Sequence, residues 1–268
     1  MSWLEALILG IVQGLTEFLP VSSSGHLEIG HALLGTSGED NLSFAVLVHA
    51  ATVLSTMVVL RREVVQLFAG SFSTLQWNKE KDYVAKIFVS MIPVFIIGIF
   101  FKDEVEALFG NGLLLVGICL LITAALLTLS EWLQKKRQSK GHEVGYKDAF
   151  IIGIAQACAV LPGLSRSGST IATGLLCGVK KESVAQFSFL MVLIPILGEA
   201  LLDGIKIMQG EVTSELGVLP AVVGFAAAFV TGCLACRFML EVVRRQRLVW
   251  FAVYCAIVGV TAIIATVC

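Results

Sequence analysis

Charge is scarce in this chain. Only 15% of its 268 residues are Asp, Glu, Lys or Arg, where soluble domains carry roughly 25%. That shortage, with 57% hydrophobic residues and a mean hydropathy of +0.88, excludes a water-soluble globular domain and points to an integral membrane protein. The cations form no basic stripe and the net charge is −1, so nucleic acid is not an expected partner. Met1-Ser-Trp-Leu-Glu lacks the basic stretch of a cleaved signal peptide, and none is expected. The seven cysteines lie almost wholly within apolar runs. Cys233 and Cys236 are spaced as C-x-x-C, but no second pair or nearby histidine completes a zinc site. They read as small packing residues.

What is present is present twice. Residues 6–26 read ALILGIVQGLTEFLPVSSSGH, and residues 149–170 read AFIIGIAQACAVLPGLSRSGST, about 143 positions later. Gly10 matches Gly153 and Gln13 matches Gln156. After a one-residue offset at Leu19-Pro20 and Leu161-Pro162 the register recovers, with Ser22-x-Ser24-Gly25 against Ser165-x-Ser167-Gly168, and then Phe44 against Phe187 and Leu47 against Leu190. An apolar run that breaks at Pro and enters a Ser/Gly loop, in corresponding places of two halves, marks a binding site built from broken helices. The chain reads as a single membrane domain over 1–268. Repeat one covers about 1–135 and repeat two about 148–268, joined by a basic cytoplasmic loop.

A helix needs about 20 apolar residues to cross the hydrocarbon layer. Six segments meet that need, roughly 42–60, 84–101, 112–133, 184–205, 217–240 and 248–267. Four others, 3–19, 26–35, 148–161 and 169–179, are too short or interrupted. Irregular backbone at membrane depth survives only where protein buries it or it lines a wet cavity. The four pieces are therefore expected as two re-entrant helical hairpins. The predicted fold is all-α, an inverted-topology repeat of six full transmembrane helices plus two re-entrant hairpins, about ten helices in all. Arg61-Arg62, Lys135–Lys140, Lys180-Lys181 and Arg244–Arg247 mark cytoplasmic ends, while Lys102–Glu106 and Glu211–Glu215 suit the outer side. Three crossings per half then give the halves opposite orientation, both termini outward, and hairpin tips that meet near the midplane. Residues 61–83 are expected as a cytoplasmic loop or surface helix.

The tips carry the chemistry. Gln13 and Glu17 are four residues apart and share one helix face. A carboxylate at membrane depth costs roughly 2.5–3.5 kcal/mol, which makes Glu17 a functional candidate. Ser22, Ser23, Ser24, Gly25 and His26 follow, opening a short helix whose first N–H groups lack partners and suit an anion. His26 can accept or donate a proton or attack phosphorus. At the second tip Gly163, Ser165, Ser167, Gly168 and Thr170 surround Arg166, the only arginine between Arg137 and Arg237. Its rigid fork suits phosphate oxygens, and in the empty protein Glu17 is the anion within its reach. One half supplies acid and imidazole, the other the cation. The set suits a group with two phosphates and a metal held by carboxylate, with Glu17 and Gln13 as ligands of Mg²⁺ or Ca²⁺. His49, inside the span at 42–60, reads equally as a contact to this site or as a packing histidine. Glu199 and Asp203 read as a solvated helix end.

Gln13-Gly-Leu-Thr-Glu17-Phe-Leu-Pro-Val-Ser-Ser-Ser-Gly-His26, with Pro162-Gly-Leu-Ser-Arg-Ser-Gly-Ser-Thr170, resembles the bacterial undecaprenyl-diphosphatase family, also called bacitracin-resistance proteins. The resemblance covers essentially the whole chain. The first motif fits the family's (E/Q)-x-x-x-E signature with Gln13 at its first position, which leaves Glu17 to carry the acidic role without a second carboxylate at residue 13. The resemblance implies removal of the terminal phosphate from undecaprenyl diphosphate. It also implies a divalent cation, a plasma-membrane location with the site open to the outer side, a role in recycling the peptidoglycan lipid carrier, and bacitracin resistance on overproduction. Glu17, His26, Arg166 and Ser23 are the expected catalytic residues. Ser22, Ser24, Gly25, Gly163, Ser165, Ser167, Gly168 and Thr170 are the expected phosphate binders. His26, Ser23 and a metal-activated water remain alternatives as nucleophile. The membrane, the lipid diphosphate and a second copy of the chain as a homodimer are the expected partners. The competing reading is a polyprenyl-phosphate transporter or flippase, because inverted repeats with broken helices are also transporter architecture.

Overall fold

The computed structural model describes residues 1–35, 40–101, 112–136, 141–198, 216–245 and 248–267. The expectations placed on Lys102–Glu106, on Arg137–Lys140, on Glu199 and Asp203 and on Glu211–Glu215 fall outside these residues. Among the described residues every element is helical: α1 Trp3–Phe18, α2 Ser23–Leu34, α3 Asp40–Val59, α4 Arg61–Ser73, α5 Lys79–Phe100, α6 Gly112–Lys136, α7 Tyr146–Cys158, α8 Arg166–Cys177, α9 Lys181–Met191, α10 Val218–Arg245 and α11 Val249–Val267. The eleventh, beyond the ten expected, is α4, the stretch expected as a loop or surface helix.

This is an all-α integral membrane protein. Helix α5, helix α6, the run Lys181–Gly198 that extends α9, helix α10 and helix α11 are each long and apolar enough to cross a membrane. The sixth expected span, 42–60, is α3, which turns by 78° into α4 after Val59. Outward-facing Phe88, Phe95, Ile99, Ile118, Leu234 and Ile257 are exposed, as lipid-facing residues must be.

The short elements form two helical hairpins, α1–α2 and α7–α8. Ser2 caps α1 with a reciprocal pair of bonds to Glu5. Leu19 ends it in an extended conformation, because Pro20 disfavours a helical residue before it. In the second copy α7 ends at Cys158, four residues short of Pro162.

The two halves clasp each other reciprocally. Helix α1 packs on α10, and its counterpart α7 packs on α5. A Cβ on Gly10 would lie 2.5 Å from Gly224 O, and one on the matching Gly153 only 2.2 Å from Ser90 O. At the centre, α6 crosses α11 with Gly117 and Gly259 face to face, a Cβ on either lying 2.8 Å from the other's carbonyl oxygen. Small residues permit such close backbone approach in a membrane, where packing rather than hydrophobicity drives association. Gly153→Ala is therefore expected to cost about 1–3 kcal/mol by overpacking, read as a lower melting temperature in detergent. Gly98→Ala, with nothing within 4 Å of the added carbon, should leave that temperature unchanged or raise it. Equal effects of the two substitutions would disprove the close crossing.

Candidate active site

The two hairpin tips meet beside α6. Gly163 adopts φ +88, a left-handed conformation that glycine reaches without strain, and a Cβ there would lie 2.6 Å from the Val116 backbone. A Cβ on Gly25 would contact both Val116 and Gly163. Ser167 Oγ donates to Leu19 O across the junction at 3.1 Å. Both tips are thus pressed on one point of α6, and the polar residues that flank them come together.

The helices open earlier than expected. Ser23, Ser24, Gly25 and His26 form the first turn of α2, and Arg166, Ser167 and Gly168 that of α8, where helices from 26 and 169 were expected. The reason is capping. Ser22 Oγ accepts from Gly25 N at 3.3 Å and Ser165 Oγ from Gly168 N at 3.1 Å, so each serine satisfies a donor three residues on and starts the helix at once. Ser22 makes this cap at φ 70 and Ser165 at φ −65. The Gly25 and Gly168 amides are consequently committed to the caps. The amides left for an anion are those of Ser23 and Ser24 at one tip and of Arg166 and Ser167 at the other.

Glu17 is the hub. Its side chain is only 7% exposed. Oε1 accepts from Arg166 Nη2 at 2.6 Å, a charge pair that joins the two halves. Oε2 accepts from Ser23 Oγ at 2.6 Å and from Gln13 Nε2 at 2.9 Å, and His49 Nε2 stands 3.6 Å from it. Of the two readings open for His49, the structure therefore gives the contact to the site. Helix α1 brings Gln13 and Glu17 together because residues four apart share a face; α2 supplies Ser23, α3 His49 and α8 Arg166.

His26 is held elsewhere. Its Nδ1 bonds to Ser22 O at 2.8 Å, and its Nε2 to the Tyr254 hydroxyl at 2.7 Å, with the two rings stacked 5.6 Å apart. A carbonyl oxygen only accepts, so Nδ1 carries the hydrogen, and in the neutral ring Nε2 accepts from Tyr254. Apart from the Ser167 bond to Leu19 O and that of Ser165 N to Thr123, the remaining predicted residues make local bonds. Ser22 and Ser24 hydroxyls lie 3.3 Å apart, Ser165 and Ser167 hydroxyls 3.4 Å apart, and Thr170 Oγ1 donates to Arg166 O at 3.0 Å.

Sequence reasoning missed Tyr254 and Thr123. Thr123 Oγ1 accepts from Ser165 N at 3.1 Å and so seats the second tip on α6. Both lie in apolar runs that also carry other hydroxyl residues, Thr128 and Ser130 in α6 and Thr261 and Thr266 in α11, so nothing in the sequence singled them out.

A narrow cavity opens from the Glu17–Arg166 pair, lined by Thr52, Thr56 and Ser188 and by the apolar Phe18, Val53, Phe189 and Ile196. Among the described residues no three of His, Cys, Asp and Glu converge. The donor set still fits a divalent cation that takes oxygen ligands, because Gln13 is fully buried and its Oε1 has no hydrogen-bond partner beside the Glu17 carboxylate.

Comparison with known proteins adds a second kind of observation. The family described as "Bacitracin resistance protein BacA" matches residues 6–261. A protein of Bacteroides fragilis named undecaprenyl-diphosphatase is 60% identical over 267 residues, 99% of both chains. One of Parabacteroides distasonis with the same name is 60% identical over 267 residues, again 99% of both. One of Methanococcus vannielii, also so named, is 40% identical over 255 residues, 94% of this chain and 96% of its own.

Proposed function

Because this chain belongs to the bacitracin resistance protein BacA family, we propose that it is an undecaprenyl-diphosphatase, which hydrolyses undecaprenyl diphosphate to undecaprenyl phosphate and inorganic phosphate. The observation that carries the reading is the contact of Ser23, Glu17 and Arg166: a hydroxyl 2.6 Å from one carboxylate oxygen and a guanidinium 2.6 Å from the other. Binding alone, which is what a flippase requires of the site, does not call for a hydroxyl paired with a proton acceptor.

The isoprenoid tail runs along the apolar walls of the cavity, and the diphosphate reaches the two helix starts. There the amides of Ser23, Ser24, Arg166 and Ser167 and the hydroxyls of Ser22, Ser24, Ser165, Ser167 and Thr170 receive phosphate oxygens, while Gly25, Gly163 and Gly168 let the tips approach one another. An arriving phosphate competes with Glu17 for the Arg166 fork and frees the carboxylate. Ser23 Oγ then forms a bond to the terminal phosphorus as the bridging P–O bond breaks, Glu17 receives the serine proton, and undecaprenyl phosphate leaves. Water cleaves the phosphoserine, releasing inorganic phosphate and restoring the serine. Arg166 stabilises the charge on the transferring group, since such reactions depend on positioning and electrostatics. His26, fixed by Ser22 and Tyr254, is the second proton-carrying group at the same helix start. Glu17 and Gln13 would hold a divalent cation, which when bound neutralises phosphate charge.

The arginine and lysine clusters at Arg61-Arg62 and Lys180-Lys181 support an orientation with both termini outside, and membership of the family supports a site open to the outer face of the plasma membrane. Product so released is the lipid carrier for peptidoglycan, and overproduction is expected to raise bacitracin resistance. The test is phosphate release from undecaprenyl diphosphate by the purified protein, with Mg²⁺, Ca²⁺ or EDTA. Metal-dependent release supports the phosphatase; lipid binding with no release in any of these conditions hands the fold to the flippase reading.

A further inference from the structure

Glu17 Oε2 accepts from Ser23 Oγ and Gln13 Nε2, and an imidazole stands beside it. His49 Nδ1 lies 2.8 Å from Ala45 O, so that nitrogen carries a hydrogen, and in the neutral ring Nε2 carries a lone pair. It stands 3.6 Å from Glu17 Oε2, and in that neutral form neither atom has a hydrogen to offer the other. Gln13 Oε1, on the amide whose Nε2 donates to that same carboxylate oxygen, is buried and unpartnered. Gln156, its counterpart in the second half, also has an unpartnered Oε1, but Val160 occupies the place of Glu17 there, so that half offers no anionic ligand.

We infer that His49 is a metal ligand in this chain. Its Nε2, Glu17 Oε2 and, after a half-turn of the amide, Gln13 Oε1 form a mixed nitrogen–oxygen site for a divalent cation. The inference deepens the phosphatase reading, which needs a cation, by naming the ligand that stands in where residue 13 lacks a carboxylate. The geometry agrees. Two ligands each about 2.0–2.2 Å from one ion sit roughly 3.0–3.7 Å apart over the usual coordination angles, and the observed 3.6 Å lies in that range. Exchanging Nε2 and Oε1 of Gln13 needs no backbone movement and puts an oxygen where Nε2 now reaches the carboxylate. Arg166 is bonded to the other oxygen, Oε1, and need not leave. Imidazole moves preference away from hard cations, and an amide at residue 13 carries one negative charge fewer than a carboxylate. The site should therefore prefer Mn²⁺ to Ca²⁺, a departure from the Mg²⁺ or Ca²⁺ that oxygen ligands alone suggest.

The test is Mn²⁺ binding by the full-length protein in detergent, followed by electron paramagnetic resonance with a spin-echo measurement of coupled nitrogen. The expected result is one bound Mn²⁺ with imidazole nitrogen coupling. That coupling should vanish in His49→Gln, with affinity at least about tenfold weaker, and persist in His26→Gln. Wild-type protein that binds no Mn²⁺, or binds it without nitrogen coupling, overturns the inference with no variant needed. So does coupling or undiminished affinity in folded His49→Gln. Phosphate release is measured separately. Release without nitrogen coupling would sink the His49 assignment and leave the phosphatase standing, whereas coupling without release would do the opposite.

Discussion

Arg166→Ala abolishes turnover of undecaprenyl diphosphate, with kcat expected to fall about a thousandfold or more, the effect of removing the arginine that stabilises a transferring phosphoryl group. The cause is specific to the site. Arg166 is the guanidinium bonded to Glu17 at the meeting of the two hairpins, and it opens α8, so its fork and the helix's first amides address the same anion. Its loss also leaves a buried carboxylate without its cation. Removing one partner of a buried pair costs about 3–5 kcal/mol, and the lower end applies because Arg166 is 27% exposed. Melting measurements therefore accompany the kinetics. Arg166→Lys keeps the charge but loses the fork, and should recover most of the stability and little of the rate. Retention of half the wild-type activity by Arg166→Ala would end this account of the site.

Glu17→Gln is expected to lower kcat by about 10²–10⁴-fold, the usual worth of a positioned proton acceptor. The amide keeps the shape and can still bond to Ser23 and Arg166, but it cannot take the serine proton. Gln13→Ala should lose less, since Gln13 donates to Glu17 and is placed here as a supporting ligand. Because Glu17 and Arg166 touch, their effects should not add: Glu17→Gln with Arg166→Ala is expected to be little slower than Arg166→Ala alone. A Glu17→Gln enzyme that keeps more than about a tenth of wild-type kcat would remove Glu17 as the acceptor and return the choice of nucleophile to a water.

Much of this site is legible in the sequence. Broken helices at Pro20 and Pro162 are local events, dictated by backbone chemistry that acts on neighbours in the chain. The depth cost of a lone carboxylate and a lone arginine is likewise a property of single residues in an apolar run, which is why Glu17 and Arg166 stood out and why their pairing was foreseeable. The helix starts were misjudged by three residues. Which serine caps α2 depends on how the chain turns after Pro20, and the serines are chemically equivalent in the sequence.

The partners of the histidines were beyond that reach. His26 lay in the right motif, yet its Nε2 is engaged by Tyr254, more than two hundred residues away. His49, evenly balanced in the sequence between packing and function, stands against Glu17 because α3 packs on α1. The sequence by itself determined the membrane class, the duplicated halves and the two charged residues that distinguish them, because hydropathy, repetition and proline geometry are written in adjacent positions. Only the tertiary structure decided which histidine faces the carboxylate and which tyrosine and threonine hold the tips. Those contacts depend on the crossing of helices such as α6 and α11, set by close packing at Gly117 and Gly259, and packing between distant segments leaves no periodic trace in the chain.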